Sequence, residues 1–144
     1  MVCACDVVNY LLGEADLAAF FAHANAALKP TAPLLFDISS RYYYQTELGS
    51  GTYAREREDA AYIMQTEYDP ETGQTAMDVS FFVEQADQKY TRFEETHLLA
   101  AHQEKTIVEH LQKAGFKAVD VYGFGTKEPP KPQDTRIQFV AVKA

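Results

Sequence analysis

Two aspartates near the start of the chain follow apolar segments, and this placement could serve ligand binding. Asp6 comes shortly after the apolar run 1–4, and Asp37 comes directly after the apolar run 34–36. An amphipathic pattern lies between the two runs, which is typical of a β-α-β unit with parallel strands. Because ligands bind at the carboxyl ends of strands in open α/β sheets, we expect both carboxylates at the binding edge.

A second group of reactive side chains, Arg92, Glu94 and His97, lies in a segment with strand periodicity. Alternation along a strand puts Arg92 and Glu94 on one face and His97 on the other, so the three cannot form a compact triad. His97 could act as a general base or be a hydrogen-bonded residue of the sheet. The sequence favours the second role, because no neighbour in the sequence is expected to tune its pKa.

The cysteines and histidines do not suggest a metal site. Cys3 and Cys5 are two apart on a predicted strand, so both side chains are expected on one face, where burial of free thiols is the ordinary outcome. The four histidines have no spacing typical of metal ligands. We therefore predict that no metal is bound.

The elements that position these residues follow from the periodicity of the chain. A helix is expected from the N-cap Gly13 to a stop at Pro30, and a polar, aromatic loop or short helix is expected over 39–51. Three antiparallel strands should follow, then a second helix and two final strands joined by an extended, proline-rich loop. The three strands are expected at 62–68, 77–83 and 93–99, and the helix at 103–114. The final strands are expected at 116–122 and 136–142, with the loop between them at 128–132.

Composition limits the class of function. The 144 residues are 47% hydrophobic and 24% charged, which is typical of one soluble domain. A formal net charge of −8 without basic clusters argues against nucleic acid as a partner and favours a small molecule. No apolar stretch is long enough to cross a bilayer and no signal-peptide pattern opens the chain, which predicts a cytoplasmic protein without membrane partners.

Several segments resemble class I S-adenosylmethionine-dependent methyltransferases. The segments 5–12, 28–30 and 34–37 resemble the family's fourth strand, the helix after it and its fifth strand. Later segments resemble a bacterial small-molecule subgroup that inserts an antiparallel sheet after the fifth strand. These segments are Tyr90–His97, Leu111–Phe116, Glu128–Pro130 and Arg136–Ala141. The resemblance covers the whole chain but only the second part of the family domain.

The resemblance implies an α/β fold in which a partial Rossmann-like methyltransferase sheet, made of the later strands, carries an inserted antiparallel β-sheet. Residues 1–40 and 101–144 would form the Rossmann-like core, and residues 41–100 a lid sheet, within a single domain. It also implies S-adenosyl-L-methionine as cofactor and methyl transfer to a small-molecule acceptor. An in-line displacement of this kind depends on positioning and exclusion of water, so it needs no conspicuous acid–base motif.

The resemblance also suggests which residues line the site, although it identifies no catalytic residue. Cys5 and Asp6 occupy family positions that border the methyl end of the cofactor. Asn9 and Tyr10 could border the cofactor or the acceptor, or they could cap and pack the turn. The residues expected on the acceptor side are Asp37, Arg41, Tyr42, Arg92 and His97, and the tyrosines could equally be packing residues.

This chain departs from the family in its cofactor motifs. It has no Gly-rich turn between an early strand and a helix, and it has no acidic residue placed to bind the ribose. The segment 28–30 continues with Thr31-Ala32-Pro33, where family members usually have two glycines. We therefore expect the isolated chain to be incomplete as a methyltransferase and to bind the cofactor poorly.

The first strand would present an open edge, since the family places this strand in the middle of its sheet. An open edge of apolar residues favours pairing, which predicts a homodimer or an association with a complementing N-terminal half. Two alternatives remain open at this point. The chain could be a non-enzymatic dimerising or ligand-binding α+β domain derived from a methyltransferase, or a subunit that completes a partner.

Overall fold

The computed structural model describes residues 1–144, whose strands form two four-stranded sheets. The first sheet has the order β1-β2-β8-β7 and the second has the order β3-β4-β5-β6. The strands are β1 Val2–Cys3, β2 Pro33–Ser39, β3 Gly51–Glu56, β4 Ala60–Asp69, β5 Gln74–Glu84, β6 Tyr90–Ala100, β7 Phe116–Gly123 and β8 Arg136–Lys143. The helices are α1 Glu14–Ala27 and α2 Glu104–Lys113, with a 3₁₀ turn at Val7–Tyr10 and a π-helical segment at Tyr43–Leu48.

The first sheet, which we call the core sheet, confirms the predicted β-α-β unit. β1 pairs with β2 in parallel, whereas β2 with β8 and β8 with β7 are antiparallel. Both helices pack on one face of this sheet, where the alternate side chains of β2 are buried. The main hydrophobic core there contains Val8, Leu17, Phe21, Ala24, Leu34, Phe36, Ile38, Ile107, Leu111, Phe116, Phe139 and Ala141.

The second sheet, which we call the lid sheet, has four antiparallel strands instead of the three predicted. The additional strand is β3, which begins at Gly51 in a segment with no clear alternation of apolar residues. Most of β3 is exposed, so no burial pattern marks it in the sequence. Turns at 70–73 and 85–89 join β4 to β5 and β5 to β6.

The helix boundaries agree closely with the sequence. Gly13 is the N-cap of α1, and the helix ends before Pro30. Gly115 follows α2 with a φ of 92°, the left-handed conformation that favours glycine after a helix. Neither helix has the length and apolar character needed to cross a membrane.

Two local predictions were wrong. The first strand ends at Cys3, and Cys5 lies beyond it with a φ of 66°, so the two thiols do not share a strand face. Cys5 is exposed, whereas Cys3 packs against the core. The proline-rich loop is also not extended throughout, because the N–H of Gly123 donates to the carbonyl oxygen of Glu128. The N–H of Asp134 likewise donates to the carbonyl oxygen of Lys131, and the N–H of Lys131 donates to Oδ2 of Asp134.

We predict that Phe21→Ala lowers the free energy of unfolding by about 3–5 kcal/mol, because the substitution leaves a cavity in the core. Phe21 is fully buried, and its ring centroid lies 5.5 Å from that of Phe36. Phe20→Ala is the matched control, since the adjacent ring is only half-buried. Denaturant unfolding of both variants checks this. Equal losses of stability would contradict the placement of Phe21 at the centre of the core.

Candidate functional site

The candidate site is built on a left-handed turn at the carboxyl end of β1. Cys5 and Asp6 have φ angles of 66° and 51°, a region that costs free energy for residues other than glycine. The carboxylate of Asp37 stabilises this turn, since its Oδ1 accepts the N–H of Cys5 at 2.9 Å and its Oδ2 accepts the N–H of Asp6 at 3.2 Å. The two aspartates therefore meet at the sheet edge, as the sequence predicted.

Arg136, the first residue of β8, neutralises part of the charge of this pair. Its guanidinium lies 2.9 Å from Oδ2 of Asp37 and 3.5 Å from Oδ1 of Asp6. The same guanidinium lies over the ring of Phe124, 5.3 Å from its centroid. Asp37 is buried, and its carboxylate is fully engaged by the turn and by Arg136. Asp37 therefore positions Asp6 and does not present its own carboxylate to solvent.

Asn9 joins the two sheets at the site. Its side chain is completely buried, and its Nδ2 donates to the carbonyl oxygens of Ser39 at 3.1 Å and Ala100 at 2.8 Å. Its Oδ1 accepts the N–H of Ser39 at 2.9 Å. These bonds tie the turn after β1 to the end of β2 and the end of β6. The structure thus gives Asn9 the packing role that the sequence left as one alternative.

Three tyrosines lie near the carboxylate of Asp6. Burial, followed by the negative charge of Asp6, raises the pKa of Tyr10, Tyr43 and Tyr44 above the ordinary phenol value. Ser39 donates its hydroxyl to Oδ2 of Asp6 at 3.2 Å. The hydroxyl of Tyr44 is also buried here, next to Ser39. The cluster can receive a cation or a hydrogen-bonding ligand.

Tyr10 connects the core sheet to the lid sheet. Its hydroxyl lies 3.0 Å from Nδ1 of His97, and the two rings meet edge to face with centroids 5.9 Å apart. Nε2 of His97 lies 3.2 Å from Oε2 of Glu95. The sequence predicted His97 on the acceptor side and left the role of Tyr10 open, and the structure brings the two side chains into direct contact.

Three other predicted site residues lie apart from this cluster. Arg41 lines surface grooves together with His102 and Gln103. The hydroxyl of Tyr42 donates to Glu47 at 3.1 Å. Arg92 forms an ion pair with Glu94 and donates to Ser80, on the face of β6 opposite to His97. The face assignment made from the sequence is therefore correct.

Sequence reasoning missed Ser39, Glu95 and Arg136 as members of the site. Glu95 could have been found from its spacing, since residues two apart on a strand share a face and Glu95 precedes His97 by two. Arg136 had no such signal, because only the pairing of β2 with β8 brings it opposite Ser39 and next to Asp37.

Comparisons with known proteins agree with this fold. No protein-family model matches the chain. The chain is 32% identical over 144 residues to the Bacillus subtilis protein described as "Putative methyltransferase YqeM", and the match covers 100% of this chain and 58% of that protein. The chain thus spans little more than half the length of this relative.

Solved structures of methyltransferases have the same fold. The S-adenosylmethionine-dependent methyltransferase of Clostridium acetobutylicum superposes with a TM-score of 0.90 at 24% identity, over 99% of this chain and 57% of that one. The amino pentose methyltransferase CalS10 of Micromonospora echinaspora, solved with S-adenosylmethionine bound, gives a TM-score of 0.67 at 20% identity, over 99% and 57%. These findings confirm the resemblance to class I S-adenosylmethionine-dependent methyltransferases and the partial Rossmann-like fold.

We predict that Asn9→Ala destabilises the chain by about 1–3 kcal/mol for each buried partner left without a hydrogen bond. The partners at risk are the N–H and carbonyl of Ser39 and the carbonyl of Ala100. Asn25→Ala is the matched control, because the side-chain nitrogen of Asn25 is buried but makes no hydrogen bond. Thermal or denaturant unfolding measures both. If the two variants lose equal stability, Asn9 does not tie the sheets together.

Proposed function

From this sequence relationship and shared fold, we propose that the chain forms the later part of a class I S-adenosylmethionine-dependent methyltransferase that acts on a small molecule. The observation that carries the proposal is the superposition of nearly the whole chain, both sheets included, on an enzyme of that class. The arrangement at the end of β1 supports it, since a turn, a carboxylate and phenol groups converge where open α/β sheets bind ligands. The two free cysteines are compatible with a cytoplasmic location.

The residues present suit one end of the cofactor. The sulfonium of S-adenosylmethionine is a cation, which fits the carboxylate of Asp6 and the aromatic rings beside it. The backbone of Cys5 and the side chains of Asp6 and Tyr10 would hold this end. When bound, the cofactor supplies an electrophilic methyl group.

The acceptor is proposed to enter between the core sheet and the lid sheet, next to Tyr10 and His97. Both side chains are partly exposed to solvent, so a small molecule could reach them. Asp37 acts indirectly in this proposal, by holding the turn that carries Asp6. Asn9 likewise acts by holding the two sheets together. Arg41, Tyr42 and Arg92 lie outside the cluster around Asp6. If they bind the acceptor, they contact a part of it that lies away from Tyr10 and His97.

The remaining contacts to the cofactor are proposed to come from a segment like the part of the Bacillus subtilis relative that lies outside the matched region. The isolated 144-residue chain is then expected to show no saturable binding of S-adenosylmethionine at micromolar concentrations in calorimetric titration. Fusing that segment of the relative to the chain should produce saturable binding. A dissociation constant of a few micromolar for the isolated chain would refute the proposed incompleteness. A folded fusion that binds no cofactor would refute the proposed function.

Asp6→Ala in the fused protein tests the placement of the site. Loss of a charged hydrogen-bonding partner costs about 1.5–3 kcal/mol of binding free energy. The dissociation constant of the cofactor should therefore rise roughly tenfold to hundredfold. Asp120→Ala is the control, because Asp120 is exposed on β7 and forms no ion pair. Calorimetry measures both variants. Equal affinities in the two would mean that Asp6 does not contact the cofactor.

The open edge of β1 is the proposed docking point for that segment. No strand lies on the outer side of β1, and Val2 is 73% exposed. Beside this edge, apolar side chains that include Leu35, Phe124 and Val140 line a groove of about 200 Å³. An edge with apolar neighbours favours strand pairing. In the absence of the complementing segment, a second copy of the chain is proposed to occupy the same edge.

We predict that the isolated chain is a dimer at tens of micromolar and that Val2→Lys makes it a monomer, because a charged edge residue opposes strand pairing. Light scattering coupled to size exclusion measures the mass. Ile63→Lys is the control, since Ile63 is also exposed but lies on β4 in the middle of the lid sheet. A monomeric wild-type chain with rapid amide exchange at residues 1–6 would contradict edge pairing.

A further inference from the structure

Three side chains from two elements form a continuous hydrogen-bonded chain at the site. The hydroxyl of Tyr10, on the 3₁₀ turn, contacts Nδ1 of His97, and Nε2 of His97 contacts the carboxylate of Glu95, both on β6. The distances are 3.0 Å and 3.2 Å. Because Glu95 and His97 share one strand face and Tyr10 comes from the turn that follows β1 of the core sheet, this chain exists only while the two sheets are docked.

The chemistry of the three groups fixes the direction of the hydrogen bonds. An ionised carboxylate can only accept, so Nε2 of neutral His97 carries the proton toward Glu95. Nδ1 is then the free acceptor, and Tyr10 donates its hydroxyl proton to it. Burial, then Asp6, then Glu95 raise the pKa of Tyr10, which keeps its phenol protonated at neutral pH and able to donate.

We infer that Tyr10, His97 and Glu95 form a relay that takes a proton from the methyl acceptor. The inference rests on the methyl-transfer function proposed above. Tyr10 follows the turn that carries Asp6, and 46% of its surface is exposed, so its oxygen can face a bound acceptor. A carboxylate, an imidazole and a hydroxyl in this order are the arrangement in which a hydroxyl oxygen gains basicity by passing its proton to the imidazole.

The step balances in atoms and charge. The lone pair of the acceptor's nitrogen or oxygen forms a bond to the methyl carbon as the bond from that carbon to sulfur breaks, and the electron pair of the broken bond stays on sulfur. The acceptor's proton moves to the oxygen of Tyr10 while the proton of Tyr10 moves to Nδ1 of His97. The resulting imidazolium is stabilised by Glu95 and later releases its proton to water.

The charges that face the relay select the class of acceptor. The hydroxyl of Tyr10 contacts His97, and the charges of Asp6 and Glu95 act on it, while Arg136 is already engaged by Asp6 and Asp37. Two carboxylates without a free cation repel an anionic acceptor and favour a neutral or cationic one. An amine or a hydroxyl meets this condition and carries the proton that the relay needs, whereas a carboxylate meets neither requirement.

The first test examines the relay in the isolated chain by nitrogen NMR of its histidine rings. We expect His97 to be predominantly the Nε2–H tautomer, with Tyr10→Phe and Glu95→Gln each shifting the population toward Nδ1–H. Glu94→Gln is the matched control and should leave the tautomer unchanged, because Glu94 lies on the other face of the strand and pairs with Arg92. A predominant Nδ1–H tautomer in the wild-type chain, or no response to Glu95→Gln, would overturn the relay.

The second test uses the fused protein described above, methyl-labelled S-adenosylmethionine and the small-molecule fraction of a bacterial extract as acceptor. His97→Gln is expected to lower the transfer rate about a hundredfold and to abolish its rise with pH, while calorimetric cofactor affinity stays unchanged. An unchanged rate, or a label found on a carboxylate oxygen, would overturn the inference. Wild-type protein that binds no cofactor or methylates nothing would instead refute the proposed function, and the tautomer experiment would still decide the relay.

Discussion

The carboxylate of Asp37 is the interaction on which the candidate site depends. It accepts the N–H groups of both Cys5 and Asp6, and it pairs with Arg136. The left-handed conformation of the turn is unfavourable for these residues by itself, and two hydrogen bonds to a buried, charged acceptor offset that cost. Without them the turn after β1 would not hold Asp6 at the sheet edge. The position of Tyr10, four residues later, follows from the same turn.

A second constraint is the buried amide of Asn9, which fixes the lid sheet against the core sheet. The lid sheet has a small hydrophobic core of its own, centred on Tyr44, Leu48 and Leu99. Its docking at the site depends on polar contacts, chiefly Asn9 to Ala100 and Tyr10 to His97. A polar junction of this kind is specific in geometry, because each buried donor and acceptor must find its partner.

Much of the architecture could be predicted because buried apolar residues recur in the sequence with the period of the helix or strand that contains them. α1 shows Leu17, Phe21 and Ala24 at helical spacing, and β5 shows strand alternation along its length, so both were located correctly. β3 was missed because its side chains are mostly exposed, so apolar and polar residues do not alternate along it. The end of β1 was misplaced because the turn at Cys5 is imposed by Asp37, which lies 32 residues away in the sequence.

The sequence by itself determined the class of fold, the two ends of each helix, the meeting of Asp6 and Asp37, and the resemblance to methyltransferases. The first three features depend on local periodicity, on capping residues and on the rule that parallel strands end at one edge. The resemblance depends instead on the residues of particular segments, such as 5–12 and 136–141. Only the tertiary structure decided that Asn9 is a structural amide, that Arg136 joins the two aspartates, and that Tyr10, His97 and Glu95 form one chain. Those contacts join residues distant in sequence through the register of strands and the docking of two sheets. A hydrogen bond requires a position within a few tenths of an ångström, which no sequence pattern specifies.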